Sequence, residues 1–271
     1  MIGDRRIAFI GCGHITEIIL HNLVDRQVAR AENIVVSDPL AARLRHLEDQ
    51  FGVATTHDNV AAARRGDLIF INLRPEVVAS VLPELQAAAL RPDQVLISLA
   101  AGIPLSRYAG LGAGQPLVRG LPNPPSRIGQ GVAALVFTPQ VSPAQREEVR
   151  LLFASLGQVV EVDEPALDVI TSLSSPVATH LFFQSLIDAG VRCGLSRAVA
   201  TAVAGQTIIG SMALWQARGA SPAELIAEAS TPGGISVEVL FALEQHAFKA
   251  AVMDAIARGA DRATALGRAG A

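Results

Sequence analysis

The 271-residue chain contains one lysine, one tyrosine, one tryptophan and two cysteines, and only 17% of its residues are charged. Each scarcity excludes something. Cys12 and Cys193 are too few and too far apart for a disulfide framework or a zinc cluster, and they read as small buried thiols in a reducing cytoplasm. The 22 basic and 25 acidic residues are scattered, for a net charge of −3, so no stripe tracks a phosphate backbone and nucleic acid is not an expected partner. The single tyrosine, Tyr108, has Gly112 four places on, which removes the Tyr-x-x-x-Lys pair that activates alcohols in short-chain dehydrogenases. The single lysine, Lys249, stands far from the N-terminal glycines and reads as part of a solvated helix face. No G-x-S-x-G elbow, HExxH or paired histidine–carboxylate spacing occurs, so serine hydrolase and metal chemistry are not expected. Met1 leads into a strand-like run without the basic and apolar regions of a signal peptide, and the expectation is a cytoplasmic protein.

Low charge has a second consequence. Half of the residues are hydrophobic and the mean hydropathy is +0.38. A charged fraction well under the usual level of about 25% leaves too little polar surface to cover an isolated monomer. Apolar surface must then face a partner subunit or a membrane. Residues 169–187 and 198–217 carry no Asp, Glu, Lys or Arg and approach spanning length. However, the first contains Ser172, Ser174, Ser175, Pro176, His180 and Gln184, the second Gln206, Thr207 and Ser211, and neither has an aromatic belt. Both read as helices enclosed by protein, with no membrane partner.

Up to about residue 160, short β-branched runs alternate with amphipathic stretches, the pattern of parallel strands and crossover helices. Strands are predicted at 7–10, 34–37, 68–72, 95–98, 117–119, 132–137 and 159–162. Ser142-Pro143-Ala144-Gln145 and Ser221-Pro222-Ala223-Glu224 are capping boxes that start helices. Beyond Asp163 the strand signal ends and helical stretches follow, interrupted by the rigid turn 230–236. The reading is an α/β domain over 1–162 and an all-helical domain over 163–271.

The first strand runs straight into Gly11-Cys12-Gly13-His14-Ile15-Thr16 and an apolar-periodic helix. This is the G-x-G-x-x-[G/A] context, with Thr16 at the third small position, in which glycines let the backbone approach a pyrophosphate at a helix N-terminus. Asp38, 25 residues past Gly13 at the end of the second strand, can accept hydrogen bonds from an adenosine ribose and would favour NAD. It can equally cap the next helix, while Ser37 and Arg43 could engage a 2′-phosphate, so NADP and NAD both stay open. Oxidising an alcohol needs a positioned base. Reducing a protonated imine needs mainly that its carbon be placed over the nicotinamide. A chain poor in Lys and Tyr therefore suits an imine better than a carbonyl. His14 reads as a loop residue that could touch cofactor, and His180 as a core histidine rather than a proton donor.

Taken in order, these residues resemble the pyrroline-5-carboxylate reductase family over nearly the whole chain. Ile7-Ala8-Phe9-Ile10-Gly11-Cys12-Gly13 is similar to its cofactor loop, and Arg74-Pro75 stands where it has Lys-Pro. Ser98-Leu99-Ala100-Ala101-Gly102-Ile103 is similar to its S-x-A-A-G-[IV], and Val118-Arg119-Gly120-Leu121-Pro122-Asn123-Pro124-Pro125 to its V-R-x-M-P-N-T-P. The most specific match is Thr231-Pro232-Gly233-Gly234-Ile235-Ser236, resembling S-P-G-G-x-T, followed by Leu243-Glu244 and Phe248-Lys249-Ala250-Ala251. The resemblance implies a Rossmann-like doubly wound sheet, a C-terminal all-α dimerisation domain interlocking with a second subunit, and NAD(P)H-dependent reduction of a cyclic imino acid. It implies that Thr231 and the backbone after Gly234, at Ile235 and Ser236, hold the substrate carboxylate, with the Ser236 hydroxyl on the imine nitrogen. It places Gly11, Gly13, His14 and Ile15 against pyrophosphate and Ser37, Asp38 and Asn59 near the adenosine ribose. Leu73, Arg74, Pro75, Ala100, Ala101 and Asn123 would line the nicotinamide half, although Asn123 could instead brace its own turn.

The family's S-G-S-x-P-A-Y is here Ser172-Leu173-Ser174-Ser175-Pro176-Val177-Ala178, which loses a glycine and an aromatic. A different cyclic imine, or a non-catalytic dinucleotide-binding paralogue, thus stands beside the reduction of pyrroline-5-carboxylate to proline. A β-hydroxyacid dehydrogenase relative would require a helix lysine that 169–187 lacks.

Overall fold

A computed structural model of the chain describes residues 2–112 and 114–269. Two compact units emerge, Met1–Ser174 with Ala257–Ala271, and Ser175–Ile256.

Among the described residues the first unit holds strands β1 (Ile7–Ile10), β2 (Ile34–Ser37), β3 (Ala54–Thr56), β4 (Leu68–Ile71), β5 (Val95–Ser98), β6 (Leu117–Pro122), β7 (Gly131–Phe137) and β8 (Gly157–Glu161). They form one sheet in the order β3-β2-β1-β4-β5-β6-β7-β8. Helices α1 (His14–Asp25), α2 (Ala41–Phe51), α3 (Asn59–Arg65), α4 (Pro75–Ala87), α5 (Pro143–Ala154) and α6 (Ala166–Leu173) belong to the same unit. Strands β1, β2, β4 and β5 are buried at every position, as parallel strands covered on both faces must be. Ile7 and Phe9 face one apolar cluster, Ala8 and Ile10 the other. Phe9 stacks on Phe70 at 4.7 Å between ring centroids, which ties β1 to β4. The chain crosses from β1 to β2 on one side and to β4 on the other, so the C-terminal ends of β1 and β4 form the switch point where ligands of such sheets bind.

Three expectations need amendment. The edge strand β3 carries no run of branched apolar residues and escapes a reading by pattern. The pattern of parallel strands does not extend to β7, which pairs antiparallel to β6 with Leu121 opposite Ala134, because the connection 123–130 is too short for a crossover. The charge-free stretch 169–187 is not one helix, since α6 ends at Leu173 and α7 (Val177–Arg192) begins after Pro176.

The compact units do not follow the change of secondary structure at residue 162. Leu167 of α6 lies in the sheet's core, and Thr264 Oγ1 donates to Asp168 Oδ2 at 2.8 Å. The second unit carries α7, α8 (Arg197–Arg218), α9 (Pro222–Ala229), α10 (Ile235–Gln245) and the start of α11 (Phe248–Ala269). Both capping boxes form, with Ser142 Oγ accepting from Gln145 N and Ser221 Oγ from Glu224 N, each at 3.3 Å. In this unit Ala200 and Ala204 are buried, whereas Phe182, Ile209, Met212, Trp215 and Phe241 stay exposed. By length and composition α8 could cross a membrane, with a mean hydropathy of 1.4 over its most apolar window.

Candidate active site

The turn after β1 is built around two glycines with different tasks. Gly11 has φ +93°, and a Cβ there would lie 2.6 Å from the Asn72 carbonyl oxygen at the end of β4. Gly13 is the extended N-cap of α1, has no side-chain cap, and a Cβ on it would meet nothing within 4 Å. Open space therefore lies over uncapped helix amides, the arrangement that accepts a pyrophosphate. His14 is exposed and Ile15 half-buried at the same helix start. Thr16, the departure from the small third position, is fully buried; its Oγ1 donates to Gly11 O at 2.7 Å and accepts from Asn72 Nδ2 at 2.9 Å. Asn72 Oδ1 is buried and without a partner among the described residues, which suits a ligand bringing a hydroxyl or amide donor. These residues fit a dinucleotide.

At the end of β2 the Asp38 carboxylate accepts from Cys12 N and from Leu40 N, each at 2.9 Å, so it both caps the turn before α2 and holds the glycine loop. Ser37 is fully buried, and its hydroxyl donates to Asn59 Oδ1 at 2.6 Å, while Asn59 Nδ2 donates to Glu84 at 2.8 Å. Arg43 lies along the loop, with Nε donating to Cys12 O at 2.6 Å and Nη2 paired with Glu17. The Arg43 hydrogen bond holds the Glu17 carboxyl below its ordinary range, against burial and with help from His46. Ser37 thus acts on Asn59 rather than facing solvent. Glu17, Asn72 and Glu84 escape sequence reasoning because their partners are far along the chain.

Toward the proposed nicotinamide half, Leu73 is half-buried beside Gly11, Arg74 is exposed and pairs with Glu76 at 3.3 Å, and Pro75 opens α4. Ala100 is buried with its N–H toward Ser98 Oγ at 3.3 Å, and Ala101 is exposed. Asn123 braces the backbone, accepting from Val132 N at 2.8 Å and donating to Ser174 O at 3.0 Å. The alternative reading of Asn123 as a turn brace is the one these contacts support. Tyr108 is buried with its OH 2.6 Å from Ser98 Oγ. Nearby Arg119, also buried, pairs with Glu164 at 3.1 Å.

In the second unit Gly233 takes φ +70° and Gly234 is the N-cap of α10, again with no side-chain bond. Gly234 N donates to Thr231 O at 2.9 Å, and a Cβ on Gly234 would lie 2.5 Å from Thr231 Oγ1. The Thr231 hydroxyl is thus folded over the helix start. Ile235 and Ser236, expected in the turn, are the first residues of α10, and both are exposed. Their N–H groups precede any intrahelical acceptor, so the turn presents amides and a hydroxyl suited to a carboxylate.

Comparison with known proteins decides the family. Residues 164–266 match the model for pyrroline-5-carboxylate reductase dimerisation, and residues 6–102 that for NADP oxidoreductase, coenzyme F420-dependent. The pyrroline-5-carboxylate reductase of Synechocystis sp. is 31% identical over 97% of this chain and 98% of its own. The chain belongs to the pyrroline-5-carboxylate reductase family. The Corynebacterium melassecola reductase is 32% identical over 97% of this chain and 98% of its own. The Coxiella burnetii pyrroline-5-carboxylate reductase structure superposes with a TM-score of 0.91 at 25% identity, covering 97% and 99% of the two chains. The Plasmodium falciparum pyrroline carboxylate reductase, solved with NADP bound, gives 0.85 at 26% identity over 97% and 98%. Residues 164–266 of this family member are accordingly a self-association domain. Its departures from the family motif, Leu173 and Ala178, are both exposed on the surface of their own units.

One property of this reductase-family loop is testable by pH. Burial, with the Asp38 charge second and Arg43 opposing, pushes the Cys12 thiol from the ordinary 9.0 up to about 12. The unfolded chain therefore loses this proton first, so stability is intact below pH 9 and falls as pH rises toward 12. Three pKa units correspond to at most about 4 kcal/mol. With one lysine and one tyrosine in the chain, few other groups titrate there. Urea unfolding at fixed protein concentration should show this alkaline loss in the wild type and a flatter profile in Cys12→Ala. An unchanged slope would clear the thiol of the effect.

Proposed function

We propose that the chain is an NAD(P)H-dependent reductase of a cyclic imino acid, with pyrroline-5-carboxylate to proline as the leading substrate pair. The observation that carries this reading is the start of α10, where the Thr231 hydroxyl, paired glycines and uncapped amides lie next to a second hydroxyl, Ser236, a set of donors suited to a carboxylate. In this reading the N–H groups of Ile235 and Ser236 and the Thr231 hydroxyl hold the carboxylate. Ser236 Oγ hydrogen-bonds the ring nitrogen and keeps its proton in place, so the C=N carbon is electrophilic. A bound reduced nicotinamide supplies the hydride. The carbon gains the hydride, the nitrogen keeps its proton, and the product is a secondary amine; no lysine or tyrosine base is required. Gly11, Gly13, His14 and Ile15 would hold the pyrophosphate, and Asp38 and Asn59, the latter set by Ser37, the adenosine ribose.

The helical segment from residue 163 is read as the dimerisation and substrate-binding part of a cytoplasmic homodimer or larger assembly. Its exposed Ile209, Met212 and Trp215, within the segment 164–266 that matches the dimerisation model, support burial of the apolar α8 by a partner chain.

The test is oxidation of NADH and NADPH with a panel of five- and six-membered cyclic imino acids. Turnover is expected with the five-membered ring. Ser236→Ala should lower kcat about 100-fold, the lower end of what a positioned proton contributes, with KM little changed. Dinucleotide binding without turnover on any imine would favour the non-catalytic paralogue. Faster turnover of a six-membered ring would favour the reading of a reductase for a different cyclic imine.

A further inference from the structure

We infer that this reductase takes NADH in preference to NADPH, and that Glu17 enforces the choice by holding Arg43 on the loop backbone. The inference rests on the reading of Gly11–Ile15 as a dinucleotide loop. A 2′-phosphate on the adenosine ribose needs donors and positive charge at the end of β2, whereas a free 2′-hydroxyl needs an acceptor. The structure supplies the acceptor. Asp38 is fixed there by Cys12 N and Leu40 N, and a carboxylate so engaged still has acceptor capacity on both oxygens.

Ser37 and Arg43, which could serve a phosphate, are engaged elsewhere. The Ser37 hydroxyl is fully buried and donates to Asn59. Arg43 donates through Nε to Cys12 O and through Nη2 to Gly13 O at 3.4 Å and to Glu17, so its charge is matched by a carboxylate and its planar fork is turned toward the loop. His46 flanks the other Glu17 oxygen at 3.5 Å, leaving that carboxylate bound on both sides. A 2′-phosphate at the end of β2 would therefore meet the fixed Asp38 carboxylate and an arginine whose charge Glu17 already matches. Glu17 is a specificity-determining residue that acts through Arg43, not one that touches the reacting atoms.

The test reads binding and does not depend on imine turnover. Isothermal titration of the full-length protein with NADH and with NADPH should give a Kd at least 10-fold lower for NADH. Glu17→Gln keeps the side chain's shape but removes the charge that neutralises Arg43, and should tighten NADPH about 10-fold while moving NADH less than twofold. Adding Arg43→Ala to that variant should abolish the gain. Equal or tighter NADPH binding by the wild type overturns the preference, a result that needs no variant to fold. An unmoved NADH/NADPH ratio in Glu17→Gln overturns the role of Glu17. Failure of both dinucleotides to bind overturns the loop reading itself, and so is distinguishable from failure of the preference alone.

Discussion

Gly11→Ala is expected to abolish dinucleotide binding, raising Kd more than 100-fold, and to cost the protein about 2–4 kcal/mol of stability. Two effects add. At φ +93° an L-residue is strained, and the new Cβ would stand 2.6 Å from Asn72 O and 2.9 Å from Leu73 Cδ2. Asn72 O belongs to backbone hydrogen-bonded to the sheet through Asn72 N and Ile10 O at 2.9 Å, so it cannot swing aside. Relief must come from the loop, at the expense of the bonds from Gly11 N to Ser37 O and from Thr16 Oγ1 to Gly11 O. Gly13→Ala is the control. Its φ of −67° suits alanine and its Cβ meets nothing, so stability should change only by the cost of a poorer N-cap, about 1 kcal/mol or less. Yet the methyl projects into the space assigned to the pyrophosphate, and Kd should rise about 10-fold. Thermal unfolding and dinucleotide titration on both variants separate the two roles. Unimpaired binding by Gly13→Ala would remove the cofactor from that space.

Those two glycines mark what was legible in the sequence and what was not. Their spacing after an apolar strand identifies the loop because it is a local, backbone-level requirement. Strands β1, β2 and β5 are legible for the same reason, since burial on both faces leaves unbroken apolar runs. What holds the loop in place is not local. The chain Asn72–Thr16–Gly11 joins residues 56 positions apart, and Arg43 meets Glu17 across 26. No periodicity records such pairs. Ser37 shows a further limit, because its place at a strand end suggests an available hydroxyl while its packing buries it against Asn59. Pro176 is a local signal for a break, but the stretch from 169 to 187 shows no change of composition around it, and the structure separates α6 from α7 there.

Gly234→Ala is expected to raise KM for the imine about 10- to 100-fold with kcat nearly unchanged. Gly234 has φ −84° and ψ 162°, which alanine adopts freely, so backbone strain is not the cause. Loss of the preferred N-cap should cost about 1 kcal/mol. The larger effect falls on Thr231, whose Oγ1 lies 2.5 Å from where the methyl would stand and whose side chain must rotate off the helix start. A group that binds the carboxylate equally in ground and transition states appears in KM, in contrast to the Ser236 hydroxyl at the ring nitrogen, which appears in kcat. A double-mutant cycle decides whether the clamp is read correctly. If Gly234 is glycine in order to leave room for the Thr231 hydroxyl, then Thr231→Ala alone should reproduce most of the loss, and Gly234→Ala added to it should cost little more. Fully additive losses would mean that the methyl acts on something other than Thr231, and the room left for that hydroxyl would not be the reason for glycine at 234.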